Sequence, residues 1–335
     1  MSGDTLSFEG LKRQTLMQRP HVVILGAGAS VAAFPDGKLP VMANLVGTLG
    51  LESLLEKAGL EHRGGNFEDI YNQLSRNASL SKVREAVEQR VAEYFSKLDL
   101  PEHPTIYDYL VLSLRKKDVI ATFNWDPFLW LACQRNHDKT RLPHIFFLHG
   151  CAIIGYCPEH KVQGRVGTLC PTCGRPYTPT RLLYPVANKD YVTEPYIASQ
   201  WRSLRSAFRT AYILTIFGYG APESDAAAVD LMSEAWGSPE ERDLEEIEIV
   251  DIKDQEELEA TWNRFIHTHH FRATNSYFES LLGAFPRRTC EAIWAELMEV
   301  KFLEYARVPK FERLAEMWEW FQQLVAYEHE AGTSA

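Results

Sequence analysis

The chain lacks any apolar run long enough to span a bilayer, and its first residues lack the short apolar core of a secretory leader. These absences predict a cytoplasmic protein with no membrane partner. Basic charge is short as well: 35 Lys and Arg stand against 45 Asp and Glu, a formal net charge of −10. Phosphate backbones are gripped by clustered cations, so broad nucleic-acid binding is not expected. The local group Lys161, Arg165, Arg175 and Arg181 reads as a solvated loop of mixed charge. Cysteine is sparse, with six residues in 335. In a reducing compartment these are thiols or metal ligands rather than a disulfide framework. No internal repeat or low-complexity segment is present.

What is there is a globular composition, 45% apolar and 24% charged. That suffices for one large α/β domain with inserts, or two modest ones. Five short apolar runs read as buried strands: His21 to Leu25, Val119 to Phe123, Ile145 to Leu148, Tyr212 to Phe217 and Ile247 to Ile252. Helical periodicity fills the stretches between them, as in Val83, Val87, Val91, Tyr94, Phe95 and Leu98. Strands alternating with helices predict a doubly wound, Rossmann-like parallel sheet. Residues 1–19 are polar and aperiodic and predict a flexible arm. Beyond about 255 the pattern is helical to about 330, with Leu314, Met317, Trp318, Phe321 and Val325 on one stripe. That stripe predicts a helix packed on the core or on another subunit.

Five strand ends carry glycine-rich or polar chemistry. The first run ends in Gly26-Ala27-Gly28-Ala29-Ser30, where glycines let backbone approach a pyrophosphate and the next helix offers N–H donors. Ser30 is expected to cap that helix or to donate to a phosphate oxygen. The third glycine of the full dinucleotide motif is absent, since Val31 follows Ser30. The second run leads into Thr122-Phe123-Asn124-Trp125-Asp126, and the third ends in Leu148-His149-Gly150. Polar groups at the carboxyl ends of parallel strands stand where open α/β sheets bind ligands. A later run leads into Phe217-Gly218-Tyr219-Gly220-Ala221-Pro222-Glu223-Ser224-Asp225, another close approach for a phosphate or ribose, and the last ends in Val250-Asp251. Asp251 could accept from an adenosine ribose hydroxyl, or be a solvated acid.

Between these lies Cys157-Pro-Glu-His160, then nine residues, then Cys170-Pro-Thr-Cys173-Gly. Two chelating pairs of this spacing suit one tetrahedral structural Zn²⁺. His160 is the expected fourth ligand and Cys151 the alternative.

In this order the motifs resemble the sirtuin superfamily, over roughly Val22 to Asp251. The resemblance implies a sirtuin-type NAD-binding domain over 20–255, with a helical insert at about 40–115, a zinc knuckle at about 156–180 and a C-terminal helical region at 256–330. It implies NAD⁺ as substrate, cleaved between nicotinamide and ribose. By it, Asn124 orients the ribose hydroxyls or the attacking oxygen, Asp126 holds that loop, and His149 is the general base. Gly26, Ala27, Gly28, Ser30, Pro35, Asp36, Thr122, Gly218, Tyr219, Asp225 and Asp251 are the expected cofactor-binding residues beside Asn124. The GYxxPxxD pattern at 218–225 looks like that of prokaryotic sirtuin-like proteins associated with phage defence.

Three features depart from the deacylating sirtuins. Ala33-Phe34-Pro35-Asp36-Gly37-Lys38 stands where those enzymes carry a Phe shielding the ribosyl cation and then an Arg; Phe123 replaces a Gln; and Leu183-Tyr184-Pro185-Val186 stands where a Phe-Gly-Glu peptide-groove motif is expected. NAD⁺ glycohydrolase activity is therefore the first expectation, NAD-dependent protein-lysine deacylase the second, and an inactive NAD or ADP-ribose binding module the third. A free hydrolase would be toxic, so assembly or a regulatory protein partner is expected to gate it, with the aromatic C-terminal helix as the candidate surface.

Overall fold

The computed structural model describes residues 5–35, 39–61, 65–186, 189–242, 244–266 and 270–332. Six parallel strands form the main sheet: β1 (His21–Leu25), β2 (Val119–Thr122), β3 (His144–Phe147), β4 (Ile213–Phe217), β5 (Glu246–Val250) and β6 (Phe271–Thr274). Their order is β6-β5-β4-β1-β2-β3, the doubly wound arrangement in which strand order reverses beside β1. β1 is buried at every position and pairs with β4 on one side and β2 on the other. The carboxyl ends of these three strands therefore open onto the switch point, where such sheets bind ligands.

β6 falls in the region expected to be wholly helical. Phe271–Thr274 (FRAT) is short and half-polar, so no apolar run announces it; pairing with β5 along its whole length makes it a strand. The expected loose arm is likewise partly ordered: Thr5–Leu6 pairs with Phe302–Leu303, and Ser7 caps a short helix at Phe8–Lys12.

Helix α1 (Ala27–Ala33) follows β1 directly. The insert before β2 contains α2 (Phe67–Arg76), α3 (Ser81–Ser96) and α4 (Ile106–Ser113). Phe67, Ile70, Leu74, Val87 and Val91 close a small separate core there, which Trp125 and Tyr184 join from the main domain. Helices α5 (Phe128–Asn136), α6 (Pro195–Thr210) and α7 (Ala226–Trp236) cover the sheet. The C-terminal helix α8 (Leu314–Gly332) buries Met317, Phe321 and Leu324 in the main core, and Trp318 Nε1 donates to Asn136 Oδ1 at 2.6 Å. Of its stripe, Met317 and Phe321 are buried against its own chain, and Leu314, Trp318 and Val325 are half-buried.

A polar chain crosses this sheet. Glu248 of β5 is fully buried; its carboxylate accepts from Leu281 N at 2.7 Å and from Thr215 Oγ1 at 3.0 Å. Thr215 contacts His21 Nε2 at 2.7 Å, and Thr289 Oγ1 contacts His21 Nδ1 at 2.9 Å. Burial pushes the Glu248 carboxyl up to about 7 and holds His21 down at about 3.

Candidate active site and metal centre

The turns after β1 and β4 are clasped glycine to glycine. Gly28 N donates to Gly218 O at 2.8 Å, and a Cβ on Gly26 would lie 2.5 Å from both Gly218 O and Tyr219 Cα. Gly218 has φ +60, and a Cβ there would stand 2.5 Å from Gly28 Cα. No residue with a side chain fits this crossing. It forms one wall of a cleft of about 210 Å³ that Gly26, Ala27, Ser30, Asn124, Asp126, His149, Gly218, Tyr219 and Asp225 all line.

Asn124 is buried and immobilised there. Thr122 Oγ1 accepts from Asn124 N at 3.0 Å. The Asn124 amide NH₂ donates to Gly26 O at 2.9 Å, to Ser30 Oγ at 3.0 Å and toward Tyr107 Oη at 3.3 Å. Both amide hydrogens are thereby used, and Oδ1 is left for the cleft. Ser30 Oγ donates to Asp126 Oδ2 at 2.7 Å and meets Tyr107 Oη at 2.7 Å. Ser30 sits inside α1, whose N-cap is Gly26, and makes no capping bond. Its hydroxyl is occupied by Asp126, Tyr107 and Asn124, which makes it the keystone of the Asn124 mount. Asp126 Oδ1 also accepts from Phe128 N at 3.3 Å. Burial pushes the Asp126 carboxyl up to about 6, with the Ser30 and Phe128 hydrogen bonds pulling it back.

His149 faces the same cleft. Its Nε2 lies 3.2 Å from Tyr191 Oη and 3.8 Å from Asp225 Oδ1. The ring meets Phe123 edge-on at 4.8 Å, and Phe123 in turn stacks on Tyr219 at 4.1 Å. The residue that replaces the expected Gln is therefore a packing wall for the histidine. Burial holds the imidazole down at about 4, Asp225 raising it and Lys189 lowering it, so His149 is neutral at pH 7 and able to accept a proton. Gly150, at φ +79, is required because a Cβ would meet Arg181 O at 2.3 Å.

The other expected cofactor residues divide. Thr122 is buried and supports Asn124 from below. Gly28 stands in the glycine crossing rather than in the cleft lining. Pro35 is exposed and Asp251 half-buried, and neither lines the cleft; Asp251 Oδ1 instead accepts from Lys253 N at 3.1 Å. Asp36 lies outside the described residues, with Gly37 and Lys38. Tyr107, Tyr191 and Lys189 were not singled out from the sequence. No spacing marks them, because each reaches the site only through tertiary packing. The remaining wall is apolar, made by Val41, Met42, Leu45, Phe95 and Trp125.

The metal centre is compact. Ligand atoms of Cys157, His160, Cys170 and Cys173 all lie within 4.8 Å of one another. A tetrahedral site with zinc–sulfur arms of about 2.3 Å has sulfur–sulfur edges of about 3.8 Å. Cys157 Sγ and Cys173 Sγ are 3.8 Å apart, and His160 Nδ1 lies 3.6 Å from Cys157 Sγ and 3.8 Å from Cys170 Sγ. The set fits zinc, with His160 presenting Nδ1 as the fourth ligand. Cys151 is instead a buried neutral thiol 3.5 Å from Asp126 O, pushed up to about 12 by burial. Four protein ligands would leave the metal no open position, so it would be structural. The hairpin Ile154–Cys157 with Val162–Arg165 and the Leu169–Pro176 bridge frame the ligands.

No protein-family model and no curated protein matches the chain. Solved structures align with it over most of its length. A Sir2 homologue in complex with NAD is 13% identical, covering 90% of this chain and 97% of its own, with a TM-score of 0.42. A sirtuin studied for substrate affinity is 15% identical, over 80% of this chain and 92% of its own, at 0.40. A structure concerned with the mechanism and regulation of Sir2 enzymes is 13% identical, over 88% and 97%, at 0.39.

Proposed function

We propose that the protein is a sirtuin-like NAD⁺-consuming enzyme that hydrolyses the nicotinamide–ribose bond, releasing nicotinamide and ADP-ribose. The observation that carries this reading is the convergence of Asn124 and His149 on one cleft beside the clasped glycine turns. The glycine crossing leaves bare backbone for the pyrophosphate. Nicotinamide departs with the electron pair of its bond to ribose, which neutralises its ring and leaves positive charge on the sugar. The fixed carbonyl dipole of Asn124 stabilises that charge, already oriented by three hydrogen bonds from its own amide. Water then adds to the anomeric carbon and gives its proton to neutral His149. Asp126 keeps Ser30, and through it Asn124, in register. Zinc held by Cys157, His160, Cys170 and Cys173 pins the knuckle; it supplies no reactive position. The likeness of the 218–225 segment to phage-defence relatives supports reading the reaction as NAD⁺ depletion.

Incubation with NAD⁺ alone, followed by release of nicotinamide, tests the proposal. Turnover without peptide that falls by about 10²–10³-fold in Asn124→Ala and His149→Ala supports it. Turnover only with an acyl-lysine peptide selects the deacylase instead. Binding with no turnover in either setting selects the binding module.

A further inference from the structure

A buried polar group stands behind His149. Asp225, buried at the start of α7, is shared by three partners. Lys189 Nζ forms an ion pair with its Oδ1, Tyr219 Oη donates to Oδ2 at 2.9 Å, and His149 Nε2 stands 3.8 Å from Oδ1. Lys189 also donates to Ser224 O at 2.9 Å, and its side chain is only 3% exposed. A buried lysine is retained where a fixed positive charge is matched by a fixed negative one. Its place here, one carboxylate away from the imidazole, suggests what the pair does.

Resting on the reaction proposed above, we propose that Asp225, with Lys189 as its counter-charge, is the positioning residue that sets the tautomer and protonation of His149. Tyr191 Oη at 3.2 Å and the Asp225 carboxylate behind it both face Nε2. They favour the tautomer with hydrogen on Nε2, while Nδ1 has no hydrogen-bond partner among the described residues and keeps its lone pair. When Nδ1 takes a proton, the new imidazolium meets a carboxylate rather than apolar packing. Burial keeps the ring neutral at rest, and Lys189 tempers the opposing pull of Asp225. The charged and titratable groups around the ring come from separate elements: Asp225 after β4, Tyr219 in the β4 turn, and Lys189 and Tyr191 in the segment after the knuckle. That segment is itself tied to the histidine, since Leu183 N donates to His149 O at 2.9 Å.

The test is an NMR titration of the His149 ring in the full chain, with ¹⁵N shifts to read the tautomer. It needs no substrate, so it stands apart from the proposed reaction. Lys189→Met should raise the His149 midpoint by at least about one pH unit, because the carboxylate then acts unopposed. Lys189→Arg should leave the midpoint where it was. The double substitution Asp225→Asn with Lys189→Met removes both charges and keeps the proposal testable should the single variant fail to fold: its midpoint must fall below that of the wild type, because Asp225 outweighs Lys189 at the ring, and an unchanged or raised midpoint would overturn the inference. In the wild type at pH 7 the ¹⁵N shifts should report hydrogen on Nε2, and Tyr191→Phe with Asp225→Asn should shift population to Nδ1–H. Midpoints and tautomer that all stay put would overturn the inference. A shifted midpoint in a protein that never cleaves NAD⁺ would instead sink the reaction and leave the positioning role standing.

Discussion

Replacing Glu248 by Gln should make the protein more stable at pH 8 and leave it little changed at pH 4.5. The carboxyl is fully buried, and burial raises it from its ordinary value of 4.5 to about 7. Between those values the folded protein holds a proton that the unfolded chain has lost, so stability falls as pH rises through this window and levels off above it. The penalty present at pH 8 is about 3 kcal/mol. Gln mimics the protonated acid: its oxygen accepts from Leu281 N and its amide donates to Thr215 Oγ1, which then donates to His21 Nε2. His21 would respond by carrying hydrogen on Nδ1 toward Thr289. No partner is left unsatisfied, so the charge penalty is the main difference between the two proteins. With an unfolding entropy for 335 residues of about 0.7 kcal/mol per kelvin, the variant should melt about 4–5 °C higher at pH 8. Urea denaturation at several pH values from 4.5 to 8.5, taken as the difference between the two proteins, cancels the other titrating groups. A difference that is flat across that range would refute the assignment of a buried, neutral-leaning Glu248.

Gly218→Ala forces φ +60 on a residue with a Cβ and drives that carbon into Gly28; it should cost about 2–4 kcal/mol and abolish NAD⁺ binding by calorimetry. Gly220→Ala, in the same turn but with nothing within 4 Å of its Cβ, should bind as before. Ser30→Ala removes the shared partner of Asp126, Tyr107 and Asn124 and should lower stability by about 2–3 kcal/mol in chemical denaturation, with activity lost more steeply than binding. Chelation should strip about one zinc per chain and raise hydrogen exchange across 156–180 while β1, β2 and β4 stay protected. Because His149 sits near 4, the acid limb of kcat/KM should fall around that value; a limb near 6.5 would show that the imidazole is solvated rather than buried.

Five of the six sheet strands were legible as short, mainly apolar runs; four of them are buried at every position, which selects apolar residues, while the edge strand β3 showed through Ile145, Phe146 and Phe147. The sixth was not, because Phe271–Thr274 is half polar, with Arg272 and Thr274 breaking any apolar run, and only its pairing with β5 defines it. The zinc ligands were legible too: two-residue spacing within each pair is a local geometric requirement, and only the choice between His160 and Cys151 needed coordinates.

The local chain, then, specified which backbone positions had to be glycine, where polar residues end apolar strands, and which thiols sit close enough to share an ion. Each is a short-range demand of dihedral angle, hydrogen bonding or chelate spacing, and each leaves a mark in sequence. Tertiary structure alone decided that Ser30 bonds Asn124, Asp126 and Tyr107, that Phe123 walls the histidine, and that Lys189 and Asp225 stand behind it. Those roles depend on which segments, distant along the chain, are packed into contact, and burial then turns an ordinary lysine and aspartate into a matched pair beside His149.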